Sequence, residues 1–320
     1  MFGDKKKGKF GAVRSATPIK APMVEFRGAG REPKVDLRQW CSPVETQSPL
    51  GSCCACAFVG ALEYLMIKGG EPLIDLSILF LYYNGRKLGG TIDKDAGLIS
   101  SHGVAAVMAY GVCEDKLWPY KADKMKQEPT KQCYDNAHSF EAVQYGRIAS
   151  EEEAKVSLSR GIPVVIGFDI PANYYYAAET TGRCPDLGAF PTDKTDGHSM
   201  LIVGYDDNDK TWLARNSWGP DYGEKGYVRI PYELAGRYVW DDEIWAIGQL
   251  EKAGDRRLIN GTVPEIVRDV QENGVRQMDE ALAKLRADVR EELQGTLDDS
   301  KKSIRDRLRD QENQLGKKDR

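Results

Sequence analysis

From Cys53 to Ile67 apolar residues fall on nearly every side of the helical wheel, and Glu63 is the only carboxylate. That pattern predicts a central helix buried all round rather than an amphipathic surface helix. Ser48, Pro49, Gly51 and Ser52 form a turn-rich approach to it, and Gly69-Gly70 supplies the stop. Asp75 to Tyr83 and Leu98 to Gly111 are further helical segments by their spacing. From Trp118-Pro119-Tyr120 onward strand-type runs dominate, namely GIPVVIGFDI, SMLIVGYDD, TWLARNSW and GYVRIPY. Pro171 to Thr195 reads as loop. A helical half followed by a β-rich half predicts an α+β fold built as two lobes.

The pattern changes at both ends. Residues 263–320 contain no aromatic side chain, and almost half of them are charged. Pro264 suits a first helical turn. Apolar residues then recur at Val263, Ile266, Val267, Val270, Met278, Leu282, Leu285, Val289, Leu293, Leu297, Ile304, Leu308 and Leu315. Leu282, Leu293, Ile304 and Leu315 fall eleven apart, a spacing that keeps one seam along a nearly straight helix. A lone helix of this kind needs its seam covered. Self-association or docking to a larger assembly through residues 263–320 is the expected cover, and packing on the chain's own body is the other way to supply it. The first 32 residues are rich in Gly, Ala and Pro and lack periodicity, which predicts a flexible extension, with a peptide lying along the body as the alternative. The expected organisation is therefore a basic extension over 1–33, a globular domain over 34–250 and a charged helical extension over 251–320.

Charge and cysteine content narrow the function class. The 320 residues are 41% hydrophobic, enough for one large core, and carry a formal charge of −4. Residues 1–32 hold eight Lys or Arg against three Asp or Glu, and residues 251–320 hold sixteen of each, so the span between them lies near −9. An acidic body argues against nucleic-acid binding. No run has the length and apolarity of a secretion signal or a membrane span, so the expected location is cytoplasmic or within a viral or non-Sec-exported particle. The seven cysteines form no paired framework and point to a reducing compartment. Cys53, Cys54 and Cys56 share one helical turn, but neighbours on a helix face different ways and no second Cys-x-x-Cys accompanies the one from Cys53 to Cys56, so no metal or other cofactor is expected.

Candidate chemistry starts at Cys53. A cysteine in the first turn of a helix meets unpaired N–H groups and the positive end of the helix dipole, and both favour the thiolate. Only three histidines occur, His102, His138 and His198. His198 alone opens a strand whose partner strand ends in a side-chain amide, Asn216. A histidine entering one strand and an asparagine leaving its neighbour can sit side by side in a sheet.

Cysteine, then histidine 145 residues on, then asparagine 18 after that, is the papain-type order and spacing. The stretches VDLRQW, QSPLGSC, LFLYYNGRKLGGTIDKDAG, YGVCEDKLWPY, DGHSMLIVGYDD and ARNSWGPDYGEKGYVRI occur in family order. The chain thus resembles the papain family of cysteine peptidases, in its bacterial and viral branch, over roughly Val35 to Leu250. The resemblance implies a two-lobed fold with the cleft between lobes, and peptide-bond hydrolysis of protein or peptide substrates. It implies Cys53 as nucleophile, His198 as general base and then acid, Asn216 as the group orienting the imidazole, and Gln47 in the oxyanion hole with the Cys53 backbone N–H. It also implies Trp218 as a cover over the His–Asn pair and Gly97 as a partner for substrate backbone. Asp196 and Ser199 would flank His198 near the specificity pocket, where Asp196 would favour a basic side chain. The match is not complete: Cys54 stands where the family has Trp, Cys56 occupies a usually aromatic place, Ser48 replaces a glycine and Leu50 a disulfide cysteine. Two other readings use the same chain: a papain-like structural or interaction protein, and an acyl transferase or deamidase working through the same Cys-His-Asn site.

Overall fold

The computed structural model describes residues 9–17, 19, 21–24, 31–140, 142–190, 197–250 and, at the C-terminal end, 266–284, 286, 287 and 294. Its elements run β1 (Lys34–Asp36), α1 (Cys53–Lys68), α2 (Ile78–Leu88), α3 (Ser100–Tyr110), α4 (Lys131–Ala137), β2 (Ala142–Arg147), α5 (Glu151–Ser159), β3 (Val164–Phe168), α6 (Ala172–Thr181), β4 (His198–Asp206), β5 (Thr211–Arg215), β6 (Tyr227–Pro231), α7 (Tyr232–Tyr238) and β7 (Val239–Leu250). A last helix, α8, covers residues 266–284. The fold is α+β, as the two-part pattern predicts.

All strands join one antiparallel sheet in the order β2-β7-β3-β4-β5-β6. β3 pairs only the first half of β4, from His198 to Ile202, and β1 takes up the same edge from Gly204 to Asp206. β4 is buried along its whole length, which explains why SMLIVGYDD reads as a continuous apolar run rather than an alternating one.

The central helix forms where the apolar run predicts. Thirteen of its sixteen residues are buried, and it packs on β3, β4 and β7 on one side and on α2 and α3 on the other. Its one carboxylate, Glu63, is buried and accepts the Leu76 N–H at 2.9 Å. Burial pushes the Glu63 carboxyl up to about 7. α2 begins at the side-chain cap of Ser77, which accepts from Phe80 N–H, three residues later than the periodicity alone suggests.

Arg86, on α2, is buried, and its guanidinium donates to the carbonyls of Ile92 at 3.0 Å, Lys94 at 2.9 Å and Met125, while lying 4.3 Å from the Tyr82 ring centroid. It is the tie that shapes the 91–97 loop beneath Gly97. Orphaned buried carbonyls cost about 1–3 kcal/mol each, so Arg86→Ala is expected to lose roughly 3 kcal/mol and about 6–12 °C in Tm. Differential scanning calorimetry checks this, and a change under about 2 °C would remove Arg86 from that role.

Two segments differ from the sequence expectation. The stretch from Pro171, read as loop, contains α6, which starts behind Pro171 and stops at the left-handed Gly182, with Tyr174, Tyr175 and Ala178 buried. Three tyrosines and a polar end hide that helix from a periodicity search, since burial rather than propensity stabilises it. The C-terminal seam is the second. Ile266, Val267, Val270, Met278 and Ala281 are buried within the chain itself, so over the described residues the chain's own body covers the seam. Leu285, Val289, Leu293, Leu297, Ile304, Leu308 and Leu315 lie outside the described residues.

Candidate active site

The site is assembled by a loop, a helix end and two strands. Arg215, at the end of β5, is buried and donates to Ser42 Oγ at 3.1 Å and to Pro43 O at 2.5 Å, which pulls the 42–47 loop onto the sheet. The loop then zips along the residues after β5. Gln47 N–H donates to Ser217 O and Gly219 N–H to Glu45 O, each at 2.9 Å. The same contacts orient the Gln47 side chain. Ser217 Oγ donates to Gln47 Oε1 at 2.6 Å, and Gln47 Nε2 donates to Leu50 O at 3.1 Å. Tyr120 OH donates to the Gln47 carbonyl and lies 2.7 Å from Ser52 Oγ. Gln47 is completely buried, with its amide nitrogen turned toward the start of α1.

Cys53 is the first residue of α1. Its sulfur is flanked by the backbone N–H groups of Ser199, Cys54, Gly11 and Ala12. The Ser199 contact is the one that brings the helix and β4 together, because His198 and Ser199 open that strand. His198 Nε2 donates to Asn216 Oδ1 at 2.8 Å, and Ser217 N–H donates to the same oxygen at 2.8 Å, which fixes the amide's orientation. His198 Nδ1 and Ser199 Oγ are buried without a hydrogen-bond partner. The Trp218 ring lies 5.2 Å from the His198 ring and screens it, with Tyr175 at 5.4 Å on another side.

Cys53, His198, Asn216, Gln47, Ser199 and Trp218 therefore converge. Asp196 lies outside the described residues. Gly97 reaches the site through the chain's own N-terminal segment, the largest departure from the sequence expectation. Part of the extension read as flexible is laid across the cleft as a strap. Gly11 and Ala12 N–H both donate to Gly197 O, at 3.1 and 2.8 Å; Leu98 N–H donates to Gly11 O at 2.9 Å; Val13 N–H donates to Leu98 O at 2.8 Å. Phe10 stands edge-on to the rings of His198 and Trp218, each at 5.5 Å. Ala12 packs with Cys53 and Trp240 in one buried cluster. Outside the cleft, Lys9 is paired with Asp95, Ser15 N–H donates to Glu243 Oε1 at 3.1 Å, and Arg14 is paired with Asp242 at 3.1 Å.

Two glycines permit this crossing. A Cβ on Gly11 would lie 2.1 Å from Gly51 O and 2.4 Å from Gly51 Cα, and a Cβ on Gly97, at φ +79°, would lie 2.0 Å from Gly11 O. Phe10, Gly11, Ala12, Tyr175, Ser217 and Trp240 are site residues that motif reading misses. A glycine beside an aromatic in an otherwise featureless tail was the only local signal of the strap.

Burial sets the protonation of the pair beneath the strap. Burial pushes the Cys53 thiol up to about 11, although four surrounding N–H groups pull it down. Burial pushes His198 down to about 4, against the acceptor Asn216. With the strap in place both groups are neutral at pH 7. Gly11 O is held by the Leu98 N–H and not by Gln47.

Comparison with known proteins agrees with this geometry. A family model described as papain family cysteine protease matches residues 32–241. The chain is 30% identical over 226 residues to an uncharacterized peptidase C1-like protein of Acanthamoeba polyphaga mimivirus, covering 68% of this chain and 72% of that protein. It is 28% identical over 239 residues to cathepsin K of Gallus gallus, covering 68% and 67%. Among solved structures, xylellain, a cysteine protease from Xylella fastidiosa, matches with a TM-score of 0.69 at 29% identity, over 78% of this chain and all of that one.

Proposed function

Because the chain belongs to the papain family and is a cysteine peptidase, we propose that it hydrolyses peptide bonds through Cys53, His198 and Asn216, with Gln47 and the Cys53 N–H receiving the oxyanion. The observation that carries this reading is the His198–Asn216 bond at 2.8 Å beside the Ser199 N–H that touches the Cys53 sulfur. Asn216 engages Nε2, so Nδ1 is the nitrogen left to take the thiol proton. The thiolate attacks the substrate carbonyl carbon. The oxygen takes up negative charge against Gln47 Nε2 and the N–H at the head of α1. His198 returns the proton to the departing amine, and a water deprotonated by the same imidazole releases the acyl group from sulfur. Ser217 acts through Gln47 as a positioning residue, and Trp218 keeps water from the His–Asn bond.

Substrate lies where the strap now lies, paired with the backbone edge at Gly97-Leu98 and with Gly197 O, its side chains running past Trp218, Ser199 and Trp240. Peptides and proteins are the substrate class. The catalytic domain spans 34–250, with the extensions on either side serving access to it. Seven free thiols suit a reducing compartment, and among the described residues no helix is long and apolar enough to cross a membrane.

The test is digestion of a mixed peptide library by the full chain and by Gly11→Val, whose side chain would expel the strap, each with and without Cys53→Ala. Internal cleavage by Gly11→Val that disappears with Cys53→Ala is the expected result. A folded Gly11→Val protein that cuts nothing, and whose Cys53 does not react with an epoxysuccinyl inactivator, would sink the reading.

A further inference from the structure

α8 lies outside the residues that the family model matches, 32–241, and it touches the strap. Val13 is buried in one cluster with Ile99 from the start of α3 and with Met278 and Ala281 from α8, and Leu282 packs against the same cluster. Met278 is wholly buried and Ala281 almost so. Val13 is also the residue whose N–H closes the strap's ladder onto Leu98. One face of α8 thus covers the strap residue that follows the two over the sulfur.

Buried polar contacts fix the position of α8 on the body. Gln277 Nε2 donates to Asp269 Oδ2 at 2.8 Å, which turns Gln277 Oε1 toward His102 Nε2 at 3.2 Å. His102 is completely buried on α3 and held neutral by burial, so its Nε2–H is the donor. Gly274 lets the helix touch α2: a Cβ there would lie 2.5 Å from Leu88 O. A helix seated by a buried hydrogen bond to α3 and a close backbone contact with α2 has one register, and that register sets Met278 and Ala281 over Val13.

We propose that α8 is a clamp on the N-terminal strap, so that the C-terminal extension controls access to Cys53. The proposal rests on the peptidase reading for its consequence but not for its geometry. The strap alone is a short extended peptide with few apolar anchors, and a segment so held opens locally at small cost. Within that cluster Ile99 alone lines Val13 from the body, and Met278 and Ala281 complete its buried apolar surroundings only while α8 is docked. Events that lift α8, such as a partner taking its apolar face, free the strap in the same step.

The test uses the full chain with Met278→Glu, which buries a charge in the Val13 cluster, beside the milder Met278→Ala and beside Gly11→Val as the strap-free reference. Two quantities are read: hydrogen exchange of the Val13 amide, and the rate of Cys53 alkylation by iodoacetamide at pH 7, with circular dichroism to confirm the fold. The clamp requires Val13 exchange and Cys53 alkylation each to rise at least about tenfold in Met278→Glu, and by less in Met278→Ala, with intact mass unchanged. Fast alkylation in Gly11→Val but unchanged exchange and alkylation in Met278→Glu would overturn the clamp and leave the peptidase reading standing. Faster Val13 exchange with an inert Cys53 in every variant would leave α8's hold on the strap standing but overturn its control of Cys53, and would remove the peptidase reading. A Met278→Glu protein that loses its fold passes the decision to Met278→Ala, where unchanged Val13 exchange is the overturning result.

Discussion

Gly11→Val brings the Cys53 thiolate down from about pH 11 toward the neutral range. The cause of the high value is burial, to which the strap contributes its cover, and a valine side chain cannot share space with Gly51, whose carbonyl would be 2.1 Å from the new Cβ. With the strap displaced, water reaches the sulfur, while the N–H groups of Cys54 and Ser199 and the head of α1 still favour the anion. A fall of at least two pKa units raises the thiolate population at pH 7, and with it the alkylation rate, by roughly a hundredfold. The measurement is thiolate absorbance against pH, as the difference between each protein and its Cys53→Ala counterpart, which cancels the other six thiols. An unchanged onset would show that the strap does not govern the nucleophile.

The sign of the linkage adds a pH window for closure. Strap closure raises the Cys53 pKa, so it favours the protonated thiol and is lost as pH climbs from the ordinary thiol value of about 8.5 through 11. Closure lowers the His198 pKa, so it favours neutral imidazole and is lost as pH falls from about 6.5 through 4. The strapped form is therefore favoured most between about pH 6.5 and 8.5, and Cys53 alkylation in the full chain rises on the alkaline flank, while on the acid flank the loss of thiolate offsets the gain in opening.

How far the sequence reveals this molecule depends on how local each signal is. α1 is legible because thirteen of its sixteen residues share one buried environment, and β4 and β5 because continuous apolar runs with a short turn allow few pairings. His198 and Asn216 could be placed side by side from strand ends alone. The strap could not. Its contacts join residues 10–13 to positions 98, 197 and 218, and nothing in Lys-Phe-Gly-Ala-Val dictates them. The C-terminal seam was half legible: periodicity shows that Ile266, Val270 and Met278 need cover, but the cover is chosen by complementarity with His102, Leu88 and Val13, which no window of α8 contains. α6 was hidden in the same way, since Pro171 and Gly182 bracket it but Tyr174 and Tyr175 are stabilised by burial, not by helix propensity.

In the Gly11→Val background, His198→Ala lowers kcat/KM for a cleaved peptide by about 10⁴ or more, because the thiol loses both its base and the acid that releases the amine. Gln47→Ala loses roughly 10²–10³, as expected for one oxyanion donor, and the loss falls on kcat rather than KM. Ser217→Ala separates position from contact. Its hydroxyl reaches only Gln47 Oε1, at 2.6 Å, so removing it frees the amide to rotate without removing the donor. It should therefore cost about tenfold, and nothing further when Gln47 is already alanine. Equal and additive losses in the two variants would mean that Ser217 acts elsewhere. A Gln47→Ala enzyme with undiminished kcat would place the oxyanion on the α1 N-terminus alone, where the N–H of Cys53 and the helix dipole remain.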